Sequence, residues 1–286
     1  MRVKTAAKIN LALDVTGKLP NGYHDLESVF QTVGLYDEVE VELINSGIEL
    51  SCDVPDEFAS SDPIPCDERN IAYKAAKFFF EQNGMDCGCR IHIKKGIPSQ
   101  AGMGGGSTDA AAVLYCLGRM TGKTVSNSEK LGADVPFFLT GGTAYVEGIG
   151  EKITPIADYS GRILVIAKGK EGVSTAEAYR NIDSLTATAH PETHKLAEAI
   201  NSAPDTAYKY FGNLFEQAVE LPEVEDIKSN MLKYCALSAV MTGSGSAVFG
   251  LFEDAEQAAV CAEKLREKDY FACVCETVAD SFIVID

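Results

Sequence analysis

Between residues 98 and 109 the chain reads Pro98-Ser99-Gln100-Ala101-Gly102-Met103-Gly104-Gly105-Gly106-Ser107-Thr108-Asp109. Four glycines in five positions let the backbone approach a bound group closely and turn successive N–H groups the same way. The run opens onto Ala110-Ala111-Ala112-Val113-Leu114-Tyr115-Cys116-Leu117, a strong helix that Ser107, Thr108 or Asp109 can cap. A helix N-terminus adds the positive end of its dipole to those amides, and the combination makes a phosphate cradle. It is not a P-loop, which ends in Gly-Lys-Ser/Thr, nor a dinucleotide fingerprint, whose third glycine would fall on Ser107. A tight strand-to-helix turn is the plainer reading, but it needs only one or two glycines.

Two further clusters could belong to the same site. Thr242-Gly243-Ser244-Gly245-Ser246 lies between apolar segments and suits either a flexible hairpin or a hydroxyl-bearing second wall for a phosphate. Leu131-Gly132-Ala133-Asp134-Val135-Pro136-Phe137-Phe138 sets Asp134 among apolar neighbours. There a carboxylate either caps a helix start or, in a low-dielectric setting, finds a partner and acts as a base. Lys8 beside Asn10, and Tyr23-His24 after Gly22, would read by themselves as solvated strand and loop surface.

Alternation predicts strands over residues 8–15, 37–43, 89–95, 143–148, 162–167 and 281–285, with 49–52 continuing a meander from 37–43. Amphipathic spacing predicts helices over 70–81, ending near Asn83-Gly84, and over 256–268, while 239–252 reads as a hairpin. Residues 121–130 are polar and weakly patterned. The whole is an α+β pattern in two halves, 1–155 and 156–286, without regular βαβ alternation.

The formal charge of −17 restricts the partners. Such a chain repels polyanions, so nucleic acid and anionic membrane surfaces are excluded as partners. A phosphate site must then be built locally, from backbone amides and a few cations such as Lys8, Lys95 and Lys168 or Lys170. Lys and Asn interrupt the first ten residues before a signal core could form, and no apolar run reaches the roughly 20 residues of a membrane helix. The nine cysteines include no Cys-x-x-Cys pair, and no nearby His completes a metal site with the Cys-x-Cys pairs at 87/89 and 273/275. Reduced thiols and a cytoplasmic setting are expected.

Taken together, the motifs resemble the GHMP kinases. The likeness is carried by Ala7-Lys8-Ile9-Asn10-Leu11, by Asn21-Gly22-Tyr23-His24-Asp25-Leu26, by the glycine run to Asp109, by 131–143 with Glu147-Gly148-Ile149-Gly150-Glu151, and by 241–252. It implies an N-terminal ribosomal-protein-S5-like domain and a C-terminal ferredoxin-like domain with the active site in the cleft between them. It implies ATP and Mg2+ as cofactors, with Pro98, Ala101, Gly102, Met103, Gly104, Gly105, Gly106, Ser107 and Thr108 around the triphosphate and Ser107 also near the metal. Asn70 and Lys95 are implied on the adenine side. Asp134 is implied as base on the acceptor hydroxyl, with Lys8 steadying the charge. The Gly-Tyr-His and Gly-Ala-Asp-Val-Pro-Phe-Phe signatures resemble the branch acting on cytidine diphospho-methylerythritol in the non-mevalonate isoprenoid route. That implies substrate contacts at Asn10, Tyr23, His24, Tyr179, Gly243 and Ser244, with Tyr179 stacked on cytosine, in a monomer or weak homodimer.

Sibling kinases acting on mevalonate, homoserine or a sugar share the glycine run, and a binding module of this fold would hold nucleotide without turnover. The Tyr23-His24 pair favours cytidine, and the joint presence of Lys8 and Asp134 favours catalysis. The chain departs from the resemblance between Gly118 and Leu131, where it is shorter by about two helical turns, immediately ahead of Asp134.

Overall fold

The computed structural model describes residues 1–20, 22–58, 63–185 and 188–285, so Asn21 of the Gly-Tyr-His segment lies outside the described residues. Its frame is a pair of long antiparallel strands, β1 (Arg2–Lys18) and β2 (His24–Ile44), matched from Arg2 opposite Glu40 to Lys18 opposite His24. Register shifts at Ala6/Ala7 and Asn10/Ala12 bracket Lys8 and Asn10. Such irregularities bend a strand and re-aim its side chains, here at the two polar residues of an otherwise apolar stretch.

β3 (Ile48–Asp53) does not continue a meander. β4 (Gly88–Lys94) inserts between β2 and β3, antiparallel to the first and parallel to the second, with α1 (Ile71–Asn83) as the crossover. The insertion is possible because residue 88 is glycine: a Cβ there would lie 1.9 Å from the Gly47 carbonyl oxygen. This single βαβ unit is compatible with an α+β pattern that lacks regular βαβ alternation. Asn70 caps α1 by accepting from Ala72 N–H, and Gly84 closes it in the left-handed conformation, as the 70–84 pattern predicts.

α2 (Gly105–Thr121) begins at the glycine run and lies against α1 and the sheet, with Ala110, Ala111 and Ala112 buried at the close approach. The polar connection after it is stitched to the end of α1. Gln82 exchanges two hydrogen bonds with the Ser126 backbone, and Asn83 Nδ2 donates to the Thr124 carbonyl. The chain thereby reaches α3 (Val135–Thr140), then β5 (Thr143–Gly148), which pairs with the early part of β2, and β6 (Lys152–Pro155).

The second half supplies β7 (Ile163–Lys168), α4 (Thr175–Asp183), α5 (Thr193–Ser202), β8 (Gly212–Asn213), α6 (Pro222–Lys233), β9 (Ser238–Met241), β10 (Val248–Phe252), α7 (Ala255–Arg266), β11 (Phe271–Glu276) and β12 (Phe282–Val284). β9 and β10 form the expected hairpin within an antiparallel sheet of order β11-β7-β10-β9. One face of this sheet packs on α6 and α7 through Val165, Val248, Ile227, Met231 and Leu265. The other presents Leu164, Ile166, Phe249 and Leu251 to Ile9, Leu11 and Val29 of the first sheet. Residues 5–15 are therefore buried without a break, and the alternation in that segment does not mark a wet face.

The outer edge of β1 is satisfied piece by piece. β12 pairs with residues 3–5 and β8 with Ala12 and Leu13. In between, Ala6 N–H donates to Ser281 O, Lys8 N–H to Met103 O and Asn10 N–H to Thr242 Oγ1. Every second amide thus finds a partner on a different segment, which fulfils the backbone's hydrogen-bonding demand while bringing the glycine run and the 242–246 loop to Lys8. Because β8 and β12 join the first sheet, the boundary at residue 155 coincides with the sheets only in part. Among the described residues no helix is long and apolar enough to cross a membrane.

Candidate active site

Lys8 projects from β1 and is 4% exposed. Its Nζ donates to Asn10 Oδ1 at 2.7 Å, lies 4.4 Å from the centre of the Phe30 ring and stands 3.9 Å from Asp134 Oδ2. Burial lowers the Lys8 ammonium below its ordinary 10.5, and the Asp134 charge opposes that shift. Asp134 stands at the N-cap position of α3, yet its side chain makes no capping hydrogen bond. The capping reading is therefore set aside: the carboxylate is about a quarter to a third exposed, turned to a cleft rather than enclosed among its apolar neighbours. The expected misplacement of Asp134 after residues 121–130 is not seen: it reaches Lys8.

Asn10 joins the halves of the molecule. Its Oδ1 accepts from Lys8, from Gly243 N–H at 2.9 Å and from Thr242 Oγ1 at 3.2 Å, and its Nδ2 donates to Ser28. The amide oxygen thus spends its capacity within the protein, holding Lys8 against the Gly243 loop. That loop in turn meets the glycine run so closely that a Cβ at Gly102, which has φ +72°, would sit 2.2 Å from Thr242 O. Ser244 Oγ pairs with Thr175 Oγ1 at 3.0 Å.

Two clefts flank the glycine run. One, of about 340 Å³, is bounded by Lys8, Asn10, Ser107, Asp134, Tyr179 and Ser244. The other, of about 400 Å³, has Asn70, Ile71, Lys95, Ile97, Pro98, Ala101, Met103, Gly105, Gly106 and Asp109 in its wall. Gly102 and Gly104 belong to both, so the run is a partition between two chambers. Thr108 is buried behind it, its hydroxyl donating to Ala6 O.

In the second cleft the polar groups are largely committed to one another. Lys95 Nζ contacts Asp37 Oδ2 and donates to Asp109 Oδ2 at 2.7 Å, while Asp37 Oδ1 accepts from Gly96 and Ile97 N–H. Burial by itself would lower Lys95, but the two carboxylates together outweigh it and hold the ammonium above its usual range. Burial also pushes the Asp109 carboxyl well up, Lys95 pulls against that, and the Asp37 charge adds to the rise. Lys95 therefore does not supply the free positive charge expected of it. Lys168 donates to Gly169 and Glu171 carbonyls, and Lys170 is paired with Asp269. Asn70 has its amide engaged at both ends, by Ala72 N–H and by the Pro65 carbonyl. Arg69, which the motifs did not single out, borders the same cleft beside its ion-pair partner Asp67.

At the other end of the first cleft, His24 is stacked on Tyr179, ring centres 4.5 Å apart and planes 20° from parallel. Tyr179 is held edge-on by Phe215, and burial followed by the Asp134 charge pushes its hydroxyl up to about 12. His24 Nε2 meets Asp183 Oδ1 at 2.8 Å, and Asp183 also pairs with Lys18. The face of Tyr179 expected to receive a base thus carries an imidazole. Tyr23 is 61% exposed and lines neither cleft.

Residues 70–142 match the family model described as GHMP kinases N terminal domain, and residues 189–270 match that described as GHMP kinases C terminal. The chain belongs to the GHMP kinase family. The first match spans Asn70, the glycine run and Asp134, and the second includes Gly243 and Ser244. Lys8, Tyr23, His24 and Tyr179 fall outside both, but full-length relatives cover most of the chain. A 4-diphosphocytidyl-2-C-methyl-D-erythritol kinase of Clostridium botulinum (strain Kyoto / Type A2) is 42% identical over 277 residues, covering 94% of this chain and 96% of its own length. The corresponding protein of strain Eklund 17B / Type B is 43% identical with the same coverage. A crystal structure of 4-(cytidine 5'-diphospho)-2C-methyl-D-erythritol kinase superposes with a TM-score of 0.81 at 32% identity, over 97% of this chain and 99% of that one. A homoserine kinase from Cytophaga hutchinsonii shares the fold, with a TM-score of 0.76 at 17% identity over 100% of this chain and 97% of its own. The architecture is the two-domain α+β GHMP kinase fold.

Proposed function

We propose that this GHMP kinase transfers the γ-phosphoryl group of ATP to the 2-hydroxyl of 4-diphosphocytidyl-2-C-methyl-D-erythritol, a step of the non-mevalonate isoprenoid route. The reading is carried by the Lys8–Asp134 pair, 3.9 Å apart in one chamber, with a glycine partition between it and a second chamber. Similarity to the Clostridium botulinum kinases along nearly the whole chain supports the choice of acceptor.

The nucleotide lies with its base in the Asn70 and Lys95 cleft and its triphosphate along Gly102–Gly106 at the start of α2, where backbone N–H groups and the helix dipole receive negative charge. The acceptor lies across the partition, its cytidine in the Tyr23, His24 and Tyr179 group and its alcohol between Lys8 and Asp134. Asp134 takes the hydroxyl proton as the oxygen attacks the γ-phosphorus in line. The new P–O bond forms, the bond to the β-phosphate oxygen breaks, and ADP leaves. Lys8 stays protonated and stabilises charge on the transferring group. Asn10 keeps the ammonium in place, so the chemistry rests on positioning more than on covalent help from the protein.

Among the described residues there is no group of three His, Cys, Asp or Glu side chains arranged to hold a metal. The Ser107 hydroxyl and the Asp134 carboxylate beside the loop are hard oxygen donors, which suits Mg2+ held mainly by phosphate oxygens and water. When bound, the ion would neutralise phosphate charge.

The deciding experiment measures ATP consumption with the cytidine diphospho-alcohol, mevalonate and homoserine side by side. Turnover with the first alone, yielding the 2-phosphate, is expected. Preference for either of the others would reassign the acceptor, and silence with all three alongside retained nucleotide binding would make the chain a binding module.

A further inference from the structure

β9 is the edge strand of the second sheet, so polar groups on its outer side must find partners beyond that sheet. At its end they meet residues 213–216. Glu216 accepts from Met241 N–H at 2.7 Å, and Asn213 Nδ2 donates to Met241 O at 2.6 Å. Closing the edge needs no more than this, yet the Asn213 amide also donates to Gly243 O at 2.8 Å, past the end of the strand. Its Oδ1 accepts from Phe215 N–H at 2.9 Å, capping the short turn that carries Phe215 to the Tyr179 ring. Asn213 is 5% exposed, with both donor hydrogens and the acceptor oxygen of its amide in use. Only Asn and Gln side chains offer that set of groups from one amide.

By its backbone Asn213 belongs to the other sheet, since β8 runs parallel to β1 with Asn213 opposite Leu13. Gly243 is consequently gripped on both sides. Its C=O is held by Asn213, and its N–H by Asn10 Oδ1, the same atom that receives the Lys8 ammonium. From Asn213 to Lys8 the path runs through one loop residue and one side-chain amide, all of them buried. Asn213 itself lies in the wall of neither cleft, so it can touch neither ligand.

We propose that Asn213 is a positioning residue for phosphoryl transfer: by fixing the Gly243 carbonyl it holds Asn10 Oδ1, and through it the Lys8 ammonium, in place. The consequence for turnover rests on the reading of Lys8 as the cation of the transfer, whereas the hold on the ammonium does not.

Asn213→Ser keeps an oxygen for Phe215 N–H, serine being as good a cap as asparagine, but lacks the two amide donors. In this variant kcat with ATP and the cytidine diphospho-alcohol should fall about tenfold or more, the effect of a displaced reacting group, with KM for ATP changed by less than about twofold. A spectroscopic reading separates positioning from support of the fold. In the full chain carrying isotope-labelled lysine, nuclear magnetic resonance detects buried, hydrogen-bonded ammonium groups by their slow exchange, and Lys8→Met assigns the Lys8 signal. Asn213→Ser should shift or broaden that signal and leave the one from Lys95, which is held by Asp37 and Asp109.

A kcat within about twofold of the parent, a loss carried by KM for ATP, or an unmoved Lys8 signal overturns the proposal. So does equal loss of both ammonium signals, which would make Asn213 a support of the fold alone. If Asn213→Ser does not fold, the isosteric Asn213→Asp takes its place, keeping the cap but turning an oxygen toward two carbonyls, and failure of both to fold likewise overturns the proposal. A displaced Lys8 signal in a chain whose parent consumes no ATP with this acceptor would leave the hold of Asn213 intact and refute the functional reading instead.

Discussion

Lys8 keeps an ammonium where burial disfavours one, with a carboxylate at 3.9 Å and an aromatic face as partial compensation. Its usefulness to phosphoryl transfer and its cost to the fold have the same origin. Lys8→Met should lower turnover far more than it weakens ATP binding, and it should raise the thermal midpoint at neutral pH by a few degrees. Because the folded-state value is lowered, the penalty is fully present below that value and vanishes above 10.5, so stability rises with pH across the interval. Melting curves of the two proteins should therefore converge as pH approaches 10.5, and a constant gap would show that lost packing, not charge, separates them. Asp134→Asn should reduce kcat by about 100-fold or more, the scale of a positioned general base, with ATP affinity retained in a calorimetric titration. Asp134 is legible in the sequence because its neighbours are Gly, Ala, Val, Pro and Phe, an unusual setting for a carboxylate. The environment of Lys95 is not: Asp37 lies 58 positions away, and no local pattern foretells that it will share the ammonium with Asp109.

At the scale of elements, the glycine run is constrained on its two sides in different ways. Gly102 has a left-handed backbone and faces Thr242 O, whereas a Cβ at Gly105 would meet side chains at ordinary contact distance, Ile97 Cγ2 at 3.4 Å, Lys95 Nζ at 3.5 Å and Ile97 Cβ at 3.7 Å. Gly102→Ala should cost at least about 1–2 kcal/mol from the backbone conformation alone. It should also force the Gly243 loop off Asn10, with a fall in kcat/KM of about tenfold or more. Gly105→Ala should stay within about 1 kcal/mol of the parent, since a helix favours alanine. Urea denaturation of both variants measures the contrast, and similar losses at the two positions would mean that the partition has no special closeness to the second half. That the backbone here turns its amides toward one helix start is legible in four glycines before an alanine-rich segment, although Gly104, and not Ser107, Thr108 or Asp109, stands at the N-cap and no side chain caps the helix. That it also divides two chambers is not legible, because the opposing surface comes from residues 242–243. The same limit explains β3: alternation in residues 48–53 reports which face is buried, and says nothing of whether β2 or β4 lies alongside.

For the whole molecule, the charge of −17 meets two anionic ligands, and the structure gives little long-range attraction to set against it. Lys95, Lys168 and Lys170 are all engaged, leaving Lys8 to meet them across the first cleft and Arg69, with Asp67, at the border of the second. Capture of ATP and of the cytidine substrate should accordingly not slow as monovalent salt rises from about 0.05 to 0.5 M, because there is repulsion to screen and no attraction. Stopped-flow association rates falling steeply with salt would point to a steering patch instead. The two-part α+β organisation follows from local patterning, but its interleaving does not, since β8 and β12 are short and pair with β1 far from their own neighbours in sequence. The strand that carries Lys8 has its outer edge closed only by residues synthesised much later: Met103, Gly212, Thr242, Ser281 and Val284. On the ribosome, at about 5–20 residues per second, β1 waits with an open, apolar edge until the segments carrying Thr242, Ser281 and Val284 have emerged. A chain stalled before those segments is thus a sticky intermediate without a formed catalytic site, and nascent molecules need shielding from one another until they arrive.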